Sequence, residues 1–155
     1  MSIIDEKIKK TIEENSQIHQ IFKDIFNKKS LFIENEEIVD LVYIEKEYLD
    51  DKNDESEVIS PAKILVATTN SLIFAEEGYK KISSDCYGYK IKNIYYDKIS
   101  SFELDTCLLK GKFKIATGSS NIPECVIEFK TVKYFNEFEI FIESIKNSNI
   151  NFIKN

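Results

Sequence analysis

The stretch VKYFNEFEIFIESIK, residues 132–146, decides the fold that the sequence predicts. Its apolar side chains recur every three or four residues, a spacing that places them on one face of an α-helix. These side chains are Tyr134, Phe135, Phe138, Phe141, Ile142 and Ile145. Because such a face has to be buried against another layer of the protein, the rest of the chain must supply that layer.

The layer is predicted to be a curved β-sheet built from residues 37–131. Its first run, 37–48, is apolar at both alternating sets of positions, so both faces of that strand are expected to be covered. Further β-rich runs follow at 62–68, 72–76, 87–91, 99–105, 113–116 and 125–129. Turns are predicted at Asn70–Ser71, at Gly78, at Lys110–Gly111 and at 118–123. About seven antiparallel strands followed by a helix predict a mainly β (α+β) domain, a small barrel or sandwich.

A second helical pattern occupies residues 3–29, where isoleucine and phenylalanine recur at helical spacing. Thr11 and Asn15 interrupt this pattern, so it forms either two shorter helices or one helix whose first half leaves the body of the domain. The chain is therefore divided into an N-terminal helical extension (1–33), a β domain with its capping helix (34–148) and a C-terminal tail (149–155).

The N-terminal extension carries the candidate residues for a protein contact. They are Ile3, Ile4, Ile8 and Ile12. If they project from the domain, they form a contact for a protein partner or a second copy; if the domain covers them, the helix is a structural brace. A membrane-surface helix is a third interpretation, weakened because Glu6, Glu13 and Glu14 offset the neighbouring lysines.

Length and charge exclude several classes of protein. At 155 residues, 43% of them hydrophobic, the chain suits one domain with a substantial core. Its net charge is −6, and all of its 21 basic residues are lysines. Nucleic-acid sites favour a positive field and arginine's bidentate guanidinium, so no nucleic acid is expected as a partner. The early acidic residues do not fit a secretory signal and no run is long enough to cross a bilayer, so a cytoplasmic protein is expected.

The sequence contains no catalytic, metal or cofactor motif, and no enzymatic activity is expected. His19 is the sole histidine, and no nearby residues have the spacing of metal ligands or of a nucleophile with its base. Cys86, Cys107 and Cys125 are odd in number and not closely paired, which indicates reduced thiols that pack in the structure. The acidic segment 50–57 lacks the glycine and closing glutamate of a calcium loop, which favours a solvated loop over a calcium site.

Three segments of the chain resemble successive strands of bacterial pleckstrin-homology-like (PH-like) domains. Residues 64–74, ILVATTNSLIF, are similar to the second hairpin of that family, in which a threonine begins the turn into a Leu-Ile-Phe strand. Residues 96–104, YDKISSFEL, resemble the start of the fifth strand, and residues 110–115, KGKFKI, resemble the sixth. Two positions depart from the family pattern, since Ser71 stands where arginine is common and Cys107 where glycine is common.

The resemblance implies a seven-stranded bent antiparallel barrel whose open end is plugged by the C-terminal helix. It also implies a non-enzymatic module, a scaffold for protein contacts or self-association, with peripheral membrane association as the alternative. In eukaryotic PH domains a basic loop between the first two strands binds phosphoinositide headgroups. Here the matching segment, 50–57, is acidic, so the sign of that site is inverted.

Two further segments are candidates for recognition. The candidate anion or lipid patch consists of three alternating lysines, Lys110, Lys112 and Lys114. Glu103 and Asp105 precede them on the neighbouring predicted strand and are placed to neutralise them, which favours a solvated face. A tyrosine-rich stretch either packs in the domain or forms a recognition surface. Its members are Tyr79, Tyr87, Tyr89, Tyr95 and Tyr96.

Overall fold

A computed structural model shows how these segments assemble. It describes residues 2–15, 18–28, 32–48, 58–83, 86–118, 123 and 125–153. The helices in this part of the chain are α1 (Ile3–Glu14), α2 (Gln20–Phe26) and α3 (Thr131–Ile153), and a 3₁₀ turn spans Tyr96–Lys98. The strands are β1 (Ile38–Ile44), β2 (Glu47–Tyr48), β3 (Val58–Ser60), β4 (Lys63–Thr68), β5 (Ser71–Ser83), β6 (Cys86–Tyr95), β7 (Ile99–Thr106), β8 (Lys110–Thr117) and β9 (Cys125–Lys130).

The strands form two main antiparallel sheets, one of four strands in the order β1-β4-β5-β6 and one of three in the order β7-β8-β9. Strands β2 and β3 form a small separate ladder. The expected α+β class, mainly β with helices at both ends, is confirmed. Within the described residues no ladder joins the two main sheets, so hydrogen bonds do not close them into a barrel.

The four-stranded sheet is apolar on both faces. Along β4, Leu65 and Ala67 point into one core, whereas Ile64 and Val66 point into a second core on the opposite face. Strand β5 alternates in the same way, because side chains two residues apart share one face of a strand. All six residues of β4 are buried. The prediction that both faces of β1 are covered is confirmed, since Val42 and Leu41 belong to opposite cores.

The first core lies between the two main sheets and is closed by α3. The helical pattern that predicted α3 is confirmed, because Tyr134, Phe138, Phe141 and Ile145 are all buried. The ring of Phe138 stacks on Phe129 of β9 with centroids 4.3 Å apart and lies 5.5 Å from the ring of Phe113. Aromatic pairs at such distances add to the free energy of burial, so this cluster joins the helix to the three-stranded sheet.

The second core lies on the outer face of the four-stranded sheet and is covered by the N-terminal helices. Helix α2 contributes Phe22, Ile25 and Phe26, all buried, against β1, β4 and β5. Of the two predicted possibilities for residues 3–29, two shorter helices is the correct one, because the helix ends at Asn15 and a new one starts at Gln20. This chain itself therefore covers the outer face of β1.

Two predicted turns are wrong in position. Gly78 does not end its strand, since β5 continues to Ser83 and pairs with β6. The chain reverses at residues 107–109, and Gly111 already lies in β8 opposite Phe129. A side chain at Gly111 would collide with the Phe129 ring, so the glycine serves close packing rather than a turn. Helix α3 also continues beyond the predicted end at Lys146, to Ile153.

Among the side chains of α3, truncation of Phe138 should cause the largest loss of stability. Phe138→Ala is expected to lower the free energy of unfolding by about 3–5 kcal/mol, because it leaves a cavity beside the rings of Phe113 and Phe129. Ile140→Ala is the matched control, because Ile140 lies on the same helix with half of its side chain in solvent. Urea unfolding followed by circular dichroism measures both. Equal losses for the two variants would contradict the packing of α3 described above.

Candidate functional site

Helix α1 packs against the domain along one side. It begins at a capping box in which Ser2 and Asp5 exchange hydrogen bonds, and these bonds lower the pKa of Asp5. Of the candidate contact residues, Ile4, Ile8 and Ile12 are half-buried against the second core, whereas Ile3 is 88% exposed. Three of the four isoleucines thus act as a brace in this structure.

A polar cluster around Asp40 fixes α1 and α3 to β1. Asp40 is buried at a bulge of β1, and its carboxylate lies 2.5 Å from Lys7 Nζ of α1. The hydroxyl of Ser144 in α3 donates to the same carboxylate at 3.1 Å, and the Leu41 amide donates at 2.8 Å. A buried carboxylate with a cation and two further donors is well satisfied, so the cluster is a structural joint between three elements.

Glu137 of α3 lies beside this joint, and its ionised form is in an unfavourable environment. Burial raises the pKa of Glu137, and the negative charge of Asp40 adds to that effect, while Lys7 opposes it. The carboxylate of Glu137 is therefore held partly out of water at neutral pH.

The predicted lysine patch is divided by its partners. Lys114 pairs with Asp105 at 2.7 Å and with Glu103 at 3.3 Å. Both acidic residues lie on the neighbouring strand, as predicted. Lys112 pairs with Glu128 of β9 at 3.6 Å. Lys110 has no carboxylate within 4 Å among the described residues, and it stands directly opposite Lys130 in the β8–β9 ladder. Only one of the three predicted lysines therefore contributes an uncompensated charge.

Next to Lys110 lies an apolar apex, which the spacing of residues in the sequence does not indicate. Leu108 is 89% exposed, Leu109 78% and Val132 92%. The Thr131 amide donates to the Leu109 carbonyl at 3.2 Å, which places the start of α3 beside the β7–β8 turn. We call this region the tip surface, and it consists of Leu108, Leu109, Lys110, Lys130 and Val132. The sequence signal for this surface is a pair of adjacent leucines that belong to no alternating pattern and are followed by lysine.

Two other groups adjoin the tip surface. Cys107 closes the turn by donating through its amide to the Lys110 carbonyl at 3.0 Å, and its thiol is exposed, contrary to the expected packing of the cysteines. Hydrogen bonds with the backbone of Lys110 and Leu109 lower the pKa of that thiol. Cys125 is buried as expected. Lys63 lies deeper, and burial lowers the pKa of its amine.

A second surface is formed by the outward side chains of β6, Tyr89, Ile91, Asn93 and Tyr95, called the β6 row. Strand β6 is the last strand of its sheet, so the hydrogen-bonding groups along its outer edge have no strand partner in the described chain. Beside this edge lies an open cleft of about 400 Å³. The cleft is lined by Asn93, Ile94, Tyr95, Lys98, Thr117 and Gly118.

The tyrosine-rich stretch is split between packing and exposure. Tyr96 is buried and donates its hydroxyl to the Thr68 carbonyl, and burial next to Glu36 raises the pKa of Tyr96. Tyr89 and Tyr95 are exposed in the β6 row. His19 occupies the N-cap position of α2 without a side-chain capping bond. Its Nε2 atom lies 2.6 Å from the Tyr89 hydroxyl, so the histidine connects the N-terminal helices to the edge strand. The side chains of Tyr79 and Tyr87 lie outside the described part.

The β4–β5 hairpin holds a buried polar group rather than a binding site. The Thr68 hydroxyl donates to the Glu36 carboxylate at 2.7 Å and accepts from the Ser71 amide at 3.0 Å. Ser71, which stands where the PH-like pattern has arginine, is completely buried. A side chain enclosed in this way cannot reach a ligand in solvent.

Three negative findings concern the described part of the chain alone. Its histidine, cysteine and carboxylate side chains nowhere gather in a group of three that could hold a metal ion. None of its helices has the length and apolar character needed to cross a membrane. The acidic segment 50–57, with its weighed calcium site, lies outside the described residues.

Comparison of the chain with protein-family models, with curated proteins and with solved structures gave no match. The interpretation of its surfaces therefore depends on their own geometry and charge.

Deletion of residues 1–31 should disrupt the domain. It uncovers the outer face of the four-stranded sheet, including Ile64 and Val66, so the shortened chain is expected to bind the dye ANS and to lose cooperative unfolding. Ile3→Ser is the control and should change the free energy of unfolding by less than about 0.5 kcal/mol. A shortened chain that stays monomeric and equally stable would show that the helices are not a brace.

Replacement of Glu137 should stabilise the protein in a pH-dependent way. Folding raises the pKa of Glu137 from its ordinary value of 4.5, so the folded state favours the protonated carboxyl. Stability is therefore lost as the pH rises through the folded-state pKa and this carboxyl ionises. Glu137→Gln is thus expected to raise the free energy of unfolding at pH 7, with a gain that vanishes below pH 4.5. Urea titrations across this range, with the exposed Glu139→Gln as control, would contradict the account if the gain grew towards acid pH.

Proposed function

We propose that this protein is a non-enzymatic binding module with a PH-like fold, and that an extended segment of a protein partner adds to the free edge of β6. The order of a four-stranded sheet, a three-stranded sheet and a C-terminal helix over the shared core supports the fold proposal. The observation that carries the binding proposal is the free edge itself, lined by apolar and aromatic side chains.

The β6 edge has the properties of a strand-addition site. An added strand gains main-chain hydrogen bonds from the edge and side-chain contacts at alternate positions. Tyr95 is 51% exposed and Ile91 is also exposed, so a partner segment would bury both. Tyrosine provides a large apolar area and a polar hydroxyl, which is why it is frequent at protein interfaces. The adjoining cleft leaves space for the added chain.

The charge of the edge favours an acidic segment. Lys90 and Lys92 lie on β6, and Lys98 lies at the end of the adjoining cleft. An antiparallel pairing of two copies of β6 centred on Ile91 would place Lys90 opposite Lys92, and like charges in direct opposition are destabilising. Carboxylates on the partner segment would instead attract Lys90 and Lys98. A different protein with an acidic extended segment therefore fits this edge better than a second copy.

The proposal is tested with labelled peptides in fluorescence anisotropy. A peptide of alternating glutamate and valine should bind, and its counterpart with lysine in place of glutamate should bind at least about tenfold more weakly. The double variant Ile91→Asp with Tyr95→Asp should lose this binding. Val126→Asp, at an exposed position of the other sheet, is the matched control and should bind normally.

Two results would contradict this function. Equal affinity for both peptides, or equal loss in the control variant, would show that β6 does not recognise an acidic strand. Light scattering gives the second contradicting result if the unmodified protein is a dimer and the Ile91→Asp with Tyr95→Asp variant is a monomer. A second copy would then be the occupant of the edge. Circular dichroism of each variant verifies that the protein remains folded.

A further inference from the structure

We infer that the tip surface docks on an anionic phospholipid bilayer. This surface lies at the β7–β8 turn and the start of α3, apart from the β6 row, so the inference does not depend on the strand-addition proposal. It also differs from the segment 50–57, which is acidic in this chain.

The leucines of the tip are in an unfavourable position unless something covers them. Leu108 and Leu109 have about four-fifths or more of their surface in water, although they stand on a turn held by defined hydrogen bonds. Val132 extends the same apolar area from the first turn of α3. Contiguous exposed apolar residues on a well-formed backbone mark an interaction surface rather than a loose loop.

The lysines of the tip are also arranged at a cost to stability. Lys110 and Lys130 face each other directly in the β8–β9 ladder, where like charges repel. Neither has a carboxylate within 4 Å among the described residues, whereas their neighbours Lys112, Lys114 and Lys133 are all paired. The N-terminal end of α3 adds the partial positive charge of a helix dipole at the same place. The tip is therefore locally basic on a chain of net charge −6.

The shape of the tip favours a bilayer as the occupant. Side chains that are almost fully exposed project from the surface, and no described residue forms a wall beside them, so the tip is an apex that inserts rather than a groove that receives. An apolar apex with a cationic rim matches the acyl boundary and the anionic headgroups of a bilayer. A second copy would bring the same cations together and is disfavoured by their repulsion.

The acidic remainder of the molecule is compatible with this docking. Exposed charges act over a Debye length of about 8 Å in physiological salt, so charges on the far side of the domain are largely screened from the bilayer. Their repulsion still opposes other orientations. Binding at the tip is therefore expected to be weak and oriented, and to depend on anionic lipid.

Vesicle co-sedimentation of the full chain tests the inference. Vesicles of phosphatidylcholine with phosphatidylserine should bind the protein, and vesicles of phosphatidylcholine alone should bind it much more weakly. Raising the salt from about 0.1 M to 1 M should weaken the binding, because the Debye length falls from about 10 Å to 3 Å. The variant Lys110→Gln with Lys130→Gln should lose about fivefold in affinity per lysine. Leu108→Ser with Leu109→Ser should lose at least about tenfold.

Matched variants separate the tip from its surroundings. Lys112→Gln with Lys114→Gln removes two paired lysines from the same strand and should lose less than Lys110→Gln with Lys130→Gln. Ile140→Ser and the Ile91→Asp with Tyr95→Asp variant should bind vesicles with little change. Absent binding, equal binding to both vesicle types, or equal losses in the two lysine pairs would overturn the inference. Leucine-dependent dimerisation without vesicle binding would overturn it in favour of a protein occupant.

Discussion

The structure depends on one constraint, the burial of both faces of the four-stranded sheet. Strand β4 has no polar face, because Ile64 and Val66 point outward while Leu65 and Ala67 point inward. A sheet with two apolar faces is unstable in water until each face is covered. Helix α3 and the second sheet cover one face, and the N-terminal helices cover the other. Neither cover is optional for a chain with this strand at its centre.

This constraint determines which surfaces remain for function. Ile4, Ile8 and Ile12 of α1 and the phenylalanines of α2 are used inside the domain, so they are removed from the set of contact residues, whereas Ile3 stays exposed. The lysines of β8 are largely used in pairs across the second sheet. Within the described residues, two surfaces remain, the outer edge of β6 and the apolar apex near Lys110. At the first, the main-chain groups of the edge have no strand partner in the described chain, and at the second, apolar side chains stay exposed.

The sequence predicted the elements whose patterns are set by burial. The spacing of Tyr134, Phe138 and Phe141 located α3, and the doubly apolar run of β1 correctly required two covers. The predicted turns failed at glycines, because glycine occurs both in turns and within strands where a neighbour packs closely. Gly78 indicated a turn but lies within β5, and Gly111 indicated a turn but gives room for the Phe129 ring. Local sequence does not distinguish a glycine that bends the chain from one that admits a neighbour.

The candidate surfaces were predictable only in part. Lys110 was identified from its alternation with Lys112 and Lys114, but its position opposite a lysine, with no carboxylate within 4 Å in the described part of the chain, depends on the register of β8 with β9. That register places it against Lys130, which sequence spacing does not reveal. Leu108 and Leu109 show no periodicity, and an apolar pair is usually interpreted as core. Their exposure follows from the short turn at 107–109, whose position became evident only in the structure.

Native-state hydrogen exchange in increasing denaturant tests most directly whether the outer cover is required. The amides of α2, such as those of Phe22 and Ile25, are predicted to lose protection in the same cooperative step as the amides of Ile64 and Val66 in β4. Coincident free energies of opening for the two groups are the expected result. If α2 exchanged through a low-energy opening while β4 stayed protected up to global unfolding, the sheet would not need its outer cover, and the account would be contradicted.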